Sequence, residues 1–218
     1  MQVKFCGFTQ LADIEAAAQL GVDAVGLVFY PPSPRAVTIA QAQQLTTGVP
    51  AFTSVVALVV NVDKDELMEL ADKVAFDIIQ FHGDESPEQC QQLANSVHKR
   101  WIKALRINSE QDTLASVQAK INDFASAGAS SILLDAYNPQ KYGGTGDQFD
   151  WDLIPTDSAL PIILAGGLDA DNVAATLDLP IHALYALDVS GGIESAKGKK
   201  DEDKMRGFMK SVKRDRWQ

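Results

Sequence analysis

Short apolar runs rich in β-branched residues alternate along the chain with amphipathic stretches of helical period. The runs predict eight β-strands, at residues 3–6, 24–29, 54–60, 76–81, 101–106, 131–135, 161–165 and 183–187. Between the third and fourth strands, the helical stretch 64–73 is accompanied by apolar residues at i, i+3, i+4 and i+7 spacing, from Leu67 to Val74. Strands and helices are therefore expected to alternate along the whole chain.

Three helix starts are marked by polar residues that can cap a first turn. Asp63 and Ser109 are each followed by an acid three positions later, and Ser86 is followed by Pro87 and a glutamine at the third helical position. We expect helices to begin just after these three residues.

Eight strand–helix units in 218 residues favour a (β/α)₈ TIM barrel over an open doubly wound sheet, which usually has fewer strands. The sequence shows no linker or low-complexity tract, so residues 1–218 are expected to form a single domain. In such barrels the active groups come from the C-terminal ends of the strands and from the loops that follow. The strand ends are therefore where chemistry is expected.

The charge and composition of the chain exclude some classes of binding partner and indicate its location. Its net charge of −10 argues against a nucleic-acid or anionic-membrane partner. No apolar run approaches the roughly 18 to 20 residues of a membrane helix, and no secretory pattern precedes the first strand, so a cytoplasmic location with reduced cysteines is expected. The basic stretch 197–218 is interpreted as a solvated C-terminal helix.

The first strand ends in a thiol with a lysine beneath it. Because side chains alternate, Lys4 and Cys6 share one face, and the larger Val3 and Phe5 are expected to face the helices. Lys4 and Cys6 would then point into the barrel, where the lysine would favour the thiolate over the reference pKa of about 8.5. The alternative is that Cys6 is a buried core residue and Lys4 pairs with a barrel carboxylate.

Asp135 closes the otherwise apolar sixth strand, three steps around the ring from the first. A thiol and a carboxyl group that face each other across a pocket are suited to general acid–base catalysis. The alternative is that Asp135 caps the loop that follows.

Strands seven and eight end in the glycine-rich segments ILAGGL and LDVSGGIE. Glycines let backbone N–H groups approach an anion, and barrels of this kind commonly bind phosphate after these two strands. Paired glycines also occur in ordinary tight turns, which is the alternative reading.

Three other loops contain candidate contacts. Arg35 lies in a proline-set loop after strand two, where its planar fork would suit a carboxylate, and His82 follows strand four with Gln80 one pleat below. A solvated arginine is the alternative for Arg35. The loop of about 15 residues after strand six contains a run of glycines around Gly144 that could cover a substrate or its phosphate. The cysteines and histidines do not have the spacing of a zinc site, so no metal is expected. No dinucleotide-binding glycine pattern follows the first strand, and no cofactor is expected.

Seven segments, in order, resemble the phosphoribosylanthranilate isomerase family: KFCG, SPRAV, IIQFHGDES, LLDA, GGTGDQFDW, LAGGLDADNV and LDVSGGIE. The resemblance runs from Lys4 to about Lys204. It implies an isomerase of tryptophan biosynthesis that converts N-(5-phosphoribosyl)anthranilate, its small-molecule substrate, to the carboxyphenylamino-deoxyribulose phosphate by an Amadori rearrangement without a cofactor.

The resemblance also implies residue roles. Cys6 would be the general base and Asp135 the general acid, so the acid must keep its proton while the thiol loses its own. Arg35 would meet the anthranilate carboxylate and Asp188 would contact the substrate. The phosphate would be bound by the loops at Gly144, Gly166, Gly167, Ser190 and Gly191.

Two positions depart from the family pattern: Gly191 replaces a second serine, and Lys197 replaces a proline. Other readings remain open, namely another phosphosugar isomerase or epimerase barrel, or a sugar-phosphate-binding barrel without activity. The presence of both proton-transfer groups favours an enzyme over the inactive barrel.

Overall fold

The computed structural model describes residues 1–137 and 149–213. Eight parallel strands form a closed barrel in chain order, and β8 pairs with β1 to close it. The strands are β1 Gln2–Cys6, β2 Ala24–Phe29, β3 Ser54–Val59, β4 Ile78–Phe81, β5 Arg100–Ile107, β6 Ser131–Ala136, β7 Ile162–Leu164 and β8 Leu184–Val189. The predicted (β/α)₈ barrel is confirmed.

Helices follow most of the strands and cover the barrel. They are α1 Leu11–Gln19, α2 Ile39–Thr46, α3 Lys64–Lys73, α4 Pro87–Val97, α5 Leu114–Ser126, α6 Val173–Thr176 and α7 Glu202–Val212. Between β6 and β7, the described residues contain a 3₁₀ turn at Trp151–Leu153 in place of an α-helix. After β8 the chain makes a second 3₁₀ turn, Gly191–Ile193, and a short hairpin of β9 Glu194–Ala196 and β10 Lys199–Lys200 before α7.

Two of the three predicted helix starts are confirmed. Asp63 and Ser86 each accept a hydrogen bond from the third backbone N–H of their helix in a reciprocal capping box. The start after Ser109 is wrong, because α5 begins at Leu114 with Thr113 as its cap. The Ser109 hydroxyl instead accepts from the backbone N–H of Asp150.

The fourth strand begins at Ile78, two residues later than predicted. Asp77 stands at its entrance and uses its carboxylate to accept a hydrogen bond of 2.8 Å from the Val55 N–H. Phe76 is buried outside the sheet, so its hydrophobicity reflects core packing and not strand pairing.

The main core lies between the outer face of the barrel and the helices. Phe5 of β1 packs edge-on against Phe208 of α7, with ring centroids 5.8 Å apart. A smaller apolar cluster fills the barrel interior and includes Leu133 and Ile163. Side chains of β1 therefore alternate as predicted, with Phe5 facing the helices and Lys4 and Cys6 facing inward.

Within the described ranges, no helix has the length and hydrophobicity needed to cross a membrane.

Candidate active site

One pocket opens at the carboxyl ends of the barrel strands. It is lined by Cys6 from β1, Asp135 from β6 and Asp188 from β8, together with glycine-rich loops after β7 and β8. Cys6 and Asp135 thus lie at the same end of the barrel and border the same space, as the parallel strands predicted. The sequence-predicted residues that share this pocket are Cys6, Arg35, His82, Asp135, Gly166, Gly167, Asp188, Ser190 and Gly191. Gly144 lies outside the described residues.

The Cys6 thiol is almost fully buried and packs beside Val28 and Leu58. Gly26 on the neighbouring strand leaves room for it, because a Cβ at that position would stand 2.7 Å from the Cys6 sulfur. The thiol is therefore held in a narrow space at the base of the pocket.

The charge environment of Cys6 differs from the prediction. Lys4 does favour the thiolate, but burial is the larger effect and raises the pKa of Cys6 above its ordinary value. Lys4 is itself bound to Asp188, with 2.8 Å between Nζ and Oδ1, and the nearby Asp188 carboxylate opposes ionisation of the thiol. The predicted effect of Lys4 on the thiol is therefore present, but burial outweighs it.

Asp135 of β6 lies close to His82, the residue that follows β4. The His82 Nε2 lies 3.4 Å from the Asp135 Oδ2, and the other carboxylate oxygen accepts a hydrogen bond of 2.9 Å from the Ala136 N–H. Gln80 Nε2 lies 2.9 Å from the His82 Nδ1. If the amide nitrogen donates to Nδ1, the imidazole proton is on Nε2, the ring nitrogen nearer to the carboxylate.

Two polar atoms of this group have no hydrogen-bond partner among the residues that the structure describes: the Gln80 Oε1 and the His82 Nε2. Both side chains are buried and both residues line the pocket. Buried polar atoms without partners are costly, so these two are poised to bind a polar group in the pocket.

Arg35 is buried, which excludes the solvated alternative. Its Nε and Nη2 donate to the two carboxylate oxygens of Glu194 at 2.7 and 2.8 Å. Gly7, with φ of +81°, permits this approach, because a Cβ there would overlap the Arg35 Cδ. Three N–H groups of the five in the guanidinium are left for other acceptors.

Glu194 and Lys200 were not predicted as site residues. Glu194 was visible as the last letter of LDVSGGIE, but nothing in its position indicated a partner. Lys200 was assigned to a solvated basic stretch, whereas its ammonium is fully buried and lies 2.9 Å from the Glu194 Oε1. The expectation that residues 197–218 form one solvated helix is therefore wrong at this residue.

The loops after β7 and β8 pack closely against each other. A Cβ on Gly192 would overlap the carbonyl oxygen of Leu168, so this contact of backbone with backbone requires glycine. Gly166 and Gly167 both have positive φ, at 85° and 62°. The Ser190 hydroxyl donates to the Cys6 carbonyl oxygen at 3.0 Å, which ties the second loop to β1.

The short helix after β7 has no side-chain cap, and an acidic residue stands just before it. α6 has four residues, and Asp169 accepts hydrogen bonds from the N–H groups of Asp171 and Asn172 just before it. The helix contributes little free positive charge to this loop, so anion binding here would fall to the glycine backbone.

Known proteins match this chain over nearly its whole length. The model of a family described as N-(5'-phosphoribosyl)anthranilate (PRA) isomerase matches residues 3–211. An N-(5'-phosphoribosyl)anthranilate isomerase of Acinetobacter calcoaceticus is 48% identical over 211 residues, which cover 97% of this chain and 96% of the relative.

Solved structures agree with the sequence matches. The crystal structure of phosphoribosylanthranilate isomerase from Thermotoga maritima has a TM-score of 0.80 and 31% identity, with 98% of each chain covered. A phosphoribosylanthranilate isomerase in complex with reduced 1-(o-carboxyphenylamino)-1-deoxyribulose 5-phosphate has a TM-score of 0.77 and 30% identity over 98% of both chains.

Fold and similarity together define the class of this protein as a (β/α)₈-barrel isomerase. Within that class the chain belongs to the N-(5'-phosphoribosyl)anthranilate isomerase family. Its activity is accordingly that isomerisation, a step of tryptophan biosynthesis.

Proposed function

We propose that this chain rearranges N-(5'-phosphoribosyl)anthranilate with Asp135 as general acid and Cys6 as general base. The observation that carries the proposal is the shared pocket: both side chains line it, one from β1 and the other from β6. A single small molecule bound there can contact both groups. The single-domain organisation and the cytoplasmic location stay predictions.

The proposed reaction moves one proton onto the substrate and removes another. Asp135 gives its proton to the ring oxygen of the ribose, the C1′–O bond breaks, and the open chain is an iminium ion. The iminium makes the C2′ hydrogen acidic, and the Cys6 thiolate removes it to give an enolamine. Tautomerisation of the enolamine yields the aminoketose, so the reaction needs no redox partner and no net acid or base.

His82 supports the acid in this proposal. The acid becomes a carboxylate once its proton has gone to the substrate, and the Nε2–H of His82 then stabilises that charge by donating to it. The Gln80 amide selects this tautomer by donating to the other ring nitrogen. His82 is thus proposed as a contact of both the substrate and Asp135, rather than of the substrate alone.

Arg35 is proposed to bind the anthranilate carboxylate. Glu194 holds the Nε and Nη2 edge of the guanidinium, which directs the remaining N–H groups and fixes the side chain before the substrate arrives. Asp188 is proposed to contact the substrate from β8, held in place by Lys4.

The phosphate is proposed to bind between the loops after β7 and β8. Gly166, Gly167, Ser190 and Gly191 all line the pocket between these loops, and a glycine backbone lets an anion approach closely. Neutral donors suit a protein of net charge −10, whose overall field opposes an anion. Gly191, where the family usually has serine, leaves the phosphate one hydroxyl fewer.

The direct test is a turnover assay with the purified chain. We expect loss of N-(5'-phosphoribosyl)anthranilate fluorescence together with formation of 1-(2-carboxyphenylamino)-1-deoxyribulose 5-phosphate. The matched control is a ribose phosphate that lacks the anthranilate group, which should bind without rearranging. Binding of the full substrate without any turnover would favour the inactive barrel and would contradict the proposal.

Replacing Arg35 with lysine is expected to raise KM about 10- to 100-fold with a smaller change in kcat. The reason is that lysine cannot form the planar pair with a carboxylate, and a lost charge-assisted hydrogen bond costs about 1.5–3 kcal/mol. Steady-state kinetics of the variant measures the effect.

The control for this variant is Arg106→Lys, a substitution of the same kind in β5, on the strand beside β6. Arg106 pairs with Asp84 and does not line the pocket, so KM should be unchanged. Inhibition by ribose 5-phosphate, which has no carboxylate, should be equal in wild type and Arg35→Lys. An unchanged KM in Arg35→Lys would contradict the assignment of the carboxylate to Arg35.

A further inference from the structure

Lys200 reaches the active site from outside the barrel. It ends β10, yet its Nζ donates to the Cys6 carbonyl oxygen at 2.5 Å, to the Ser190 carbonyl oxygen at 3.2 Å and to the Glu194 Oε1 at 2.9 Å. Its ammonium also lies 5.7 Å from the centre of the Phe8 ring. Through these contacts one side chain ties the hairpin to the ends of β1 and β8.

With Asp135 protonated, as the proposed mechanism requires, the buried charges beside the thiol do not cancel. Lys4 pairs with Asp188, while Arg35 and Lys200 share the single carboxylate of Glu194. With three cations and two carboxylates, each buried, this group carries one excess positive charge as long as the thiol is neutral. Ionisation of the thiol would bring the sum to zero.

A buried, incompletely paired ammonium is costly, so its presence here calls for a compensating partner. Both carboxylate oxygens of Glu194 accept hydrogen bonds from Arg35. Lys200 therefore shares the Oε1 atom, and the single negative charge of Glu194, with Arg35. The backbone carbonyls of Cys6 and Ser190 supply partial charge only. Asp13 contacts Lys200 only at its backbone N–H, which donates to the carboxylate at 3.0 Å. A thiolate at Cys6 is a further anion that the site can form near Lys200 without adding a residue.

We propose that Lys200 is a positioning residue whose charge stabilises the Cys6 thiolate and whose hydrogen bond to the Cys6 carbonyl holds the end of β1. The proposal rests on the proposed role of Cys6 as the base. It goes beyond that role because it names a residue of the β9–β10 hairpin, outside the barrel, that stabilises the ionised base.

The electrostatic environment agrees with this assignment. Burial raises the pKa of Cys6, and Lys4 and Lys200 both act against that rise. Burial lowers the pKa of Lys200, and Glu194 and Cys6 both act against that fall. The thiolate and the ammonium therefore stabilise each other's charged form. The charged and titratable groups around this part of the pocket are Lys4, Asp13, Tyr30, Arg35, His82, Asp135, Asp169, Asp188, Glu194, Lys200 and Lys204.

The test measures ionisation of the thiol and does not depend on turnover. The chain has two cysteines, so a Cys90→Ala background leaves Cys6 as the single thiol. The rate of alkylation by iodoacetamide is followed against pH in Lys200→Met, Lys200→Gln and Lys200→Arg. Methionine preserves length, glutamine preserves an N–H donor for the carbonyls, and arginine preserves the charge.

We expect the two neutral variants to raise the alkylation pKa of Cys6 by about one unit, which is a roughly 10-fold lower rate at a pH below that pKa. Lys200→Arg should stay close to the parent. Lys204→Met is the matched control, because Lys204 is exposed and donates to the backbone carbonyl of Glu194, not to its carboxylate.

An unchanged thiol pKa in a folded neutral variant would overturn the proposal, whatever happened to the activity. Glutamine serves as the second neutral variant if the methionine protein does not fold. Failure of the acid–base mechanism would look different: Cys6→Ser would remain active while the alkylation pKa still responded to Lys200.

Discussion

Cys6→Ser is expected to lower kcat by about 10²- to 10⁴-fold, the usual worth of a general base. A serine hydroxyl is a far weaker acid than a thiol, so it keeps its proton and cannot accept one from C2′. The change removes little volume from a narrow space bordered by Gly26, and the barrel should remain folded. Steady-state turnover of N-(5'-phosphoribosyl)anthranilate, with circular dichroism as the check on folding, measures the effect.

The control is Cys90→Ser at the other cysteine. Cys90 is buried in α4, does not line the pocket, and burial raises the pKa of its thiol to about 12. Turnover by this variant should match the wild type, although its stability should fall because a polar hydroxyl replaces a buried thiol. Wild-type turnover in Cys6→Ser would show that another group removes the proton.

Asp135→Asn is expected to lower kcat by about 10²- to 10⁴-fold for a different reason. The amide has nearly the shape of the carboxyl group but has no acidic proton to give to the ring oxygen. Its oxygen can still accept from the Ala136 N–H, so the end of β6 should keep its geometry. The loss should appear in kcat more than in KM, because the proton is transferred in the transition state.

Asp84→Asn provides the matched control for the acid. Asp84 follows β4 at the same end of the barrel, but its carboxylate is exposed, pairs with Arg106 and does not line the pocket. We expect this variant to turn over substrate at the wild-type rate. If Asp135→Asn were equally active, the acid would have to be sought elsewhere in the pocket, and His82 would be the first candidate because its Nε2 lies 3.4 Å from the same carboxylate.

The pH dependence of Cys6 alkylation tests the base separately from the acid. Burial raises the pKa of Cys6, so its alkylation should accelerate with rising pH to a midpoint above that of an ordinary thiol. In Asp135→Asn the same titration should persist, since the substitution leaves Lys4 and Lys200 in place. A wild-type midpoint well below the ordinary thiol value would mean that the two lysines outweigh burial.

Much of the architecture was readable from periodicity. The eight strands were located within about two residues at most ends, and the β1 alternation correctly directed Cys6 inward and Phe5 outward. The predictions failed where the same type of residue can serve two different structural roles. Ser109 looked like a helix cap but bonds to Asp150, and Phe76 looked like strand but packs in the core.

The sequence predicted the candidate site only in part, because the order of parallel strands shows which residues lie at the same end of the barrel. That logic brought Cys6 and Asp135 to one rim, whereas Asp188 was predicted only from the family resemblance. Strand order could not predict how side chains are oriented or which partners they bind. Arg35 and Glu194 are 159 positions apart in the chain, and Lys200 and Cys6 are 194 positions apart. No local pattern encodes such pairs.

By itself, then, the order of apolar and polar residues determined a closed parallel barrel and brought one thiol and one carboxyl group to the same end of it. Only the tertiary structure decided how charged that thiol is. Its ionisation depends on a balance between burial and the distances to Lys4, Asp188 and Lys200, and those distances exist only once separate strands and the β9–β10 hairpin have packed together.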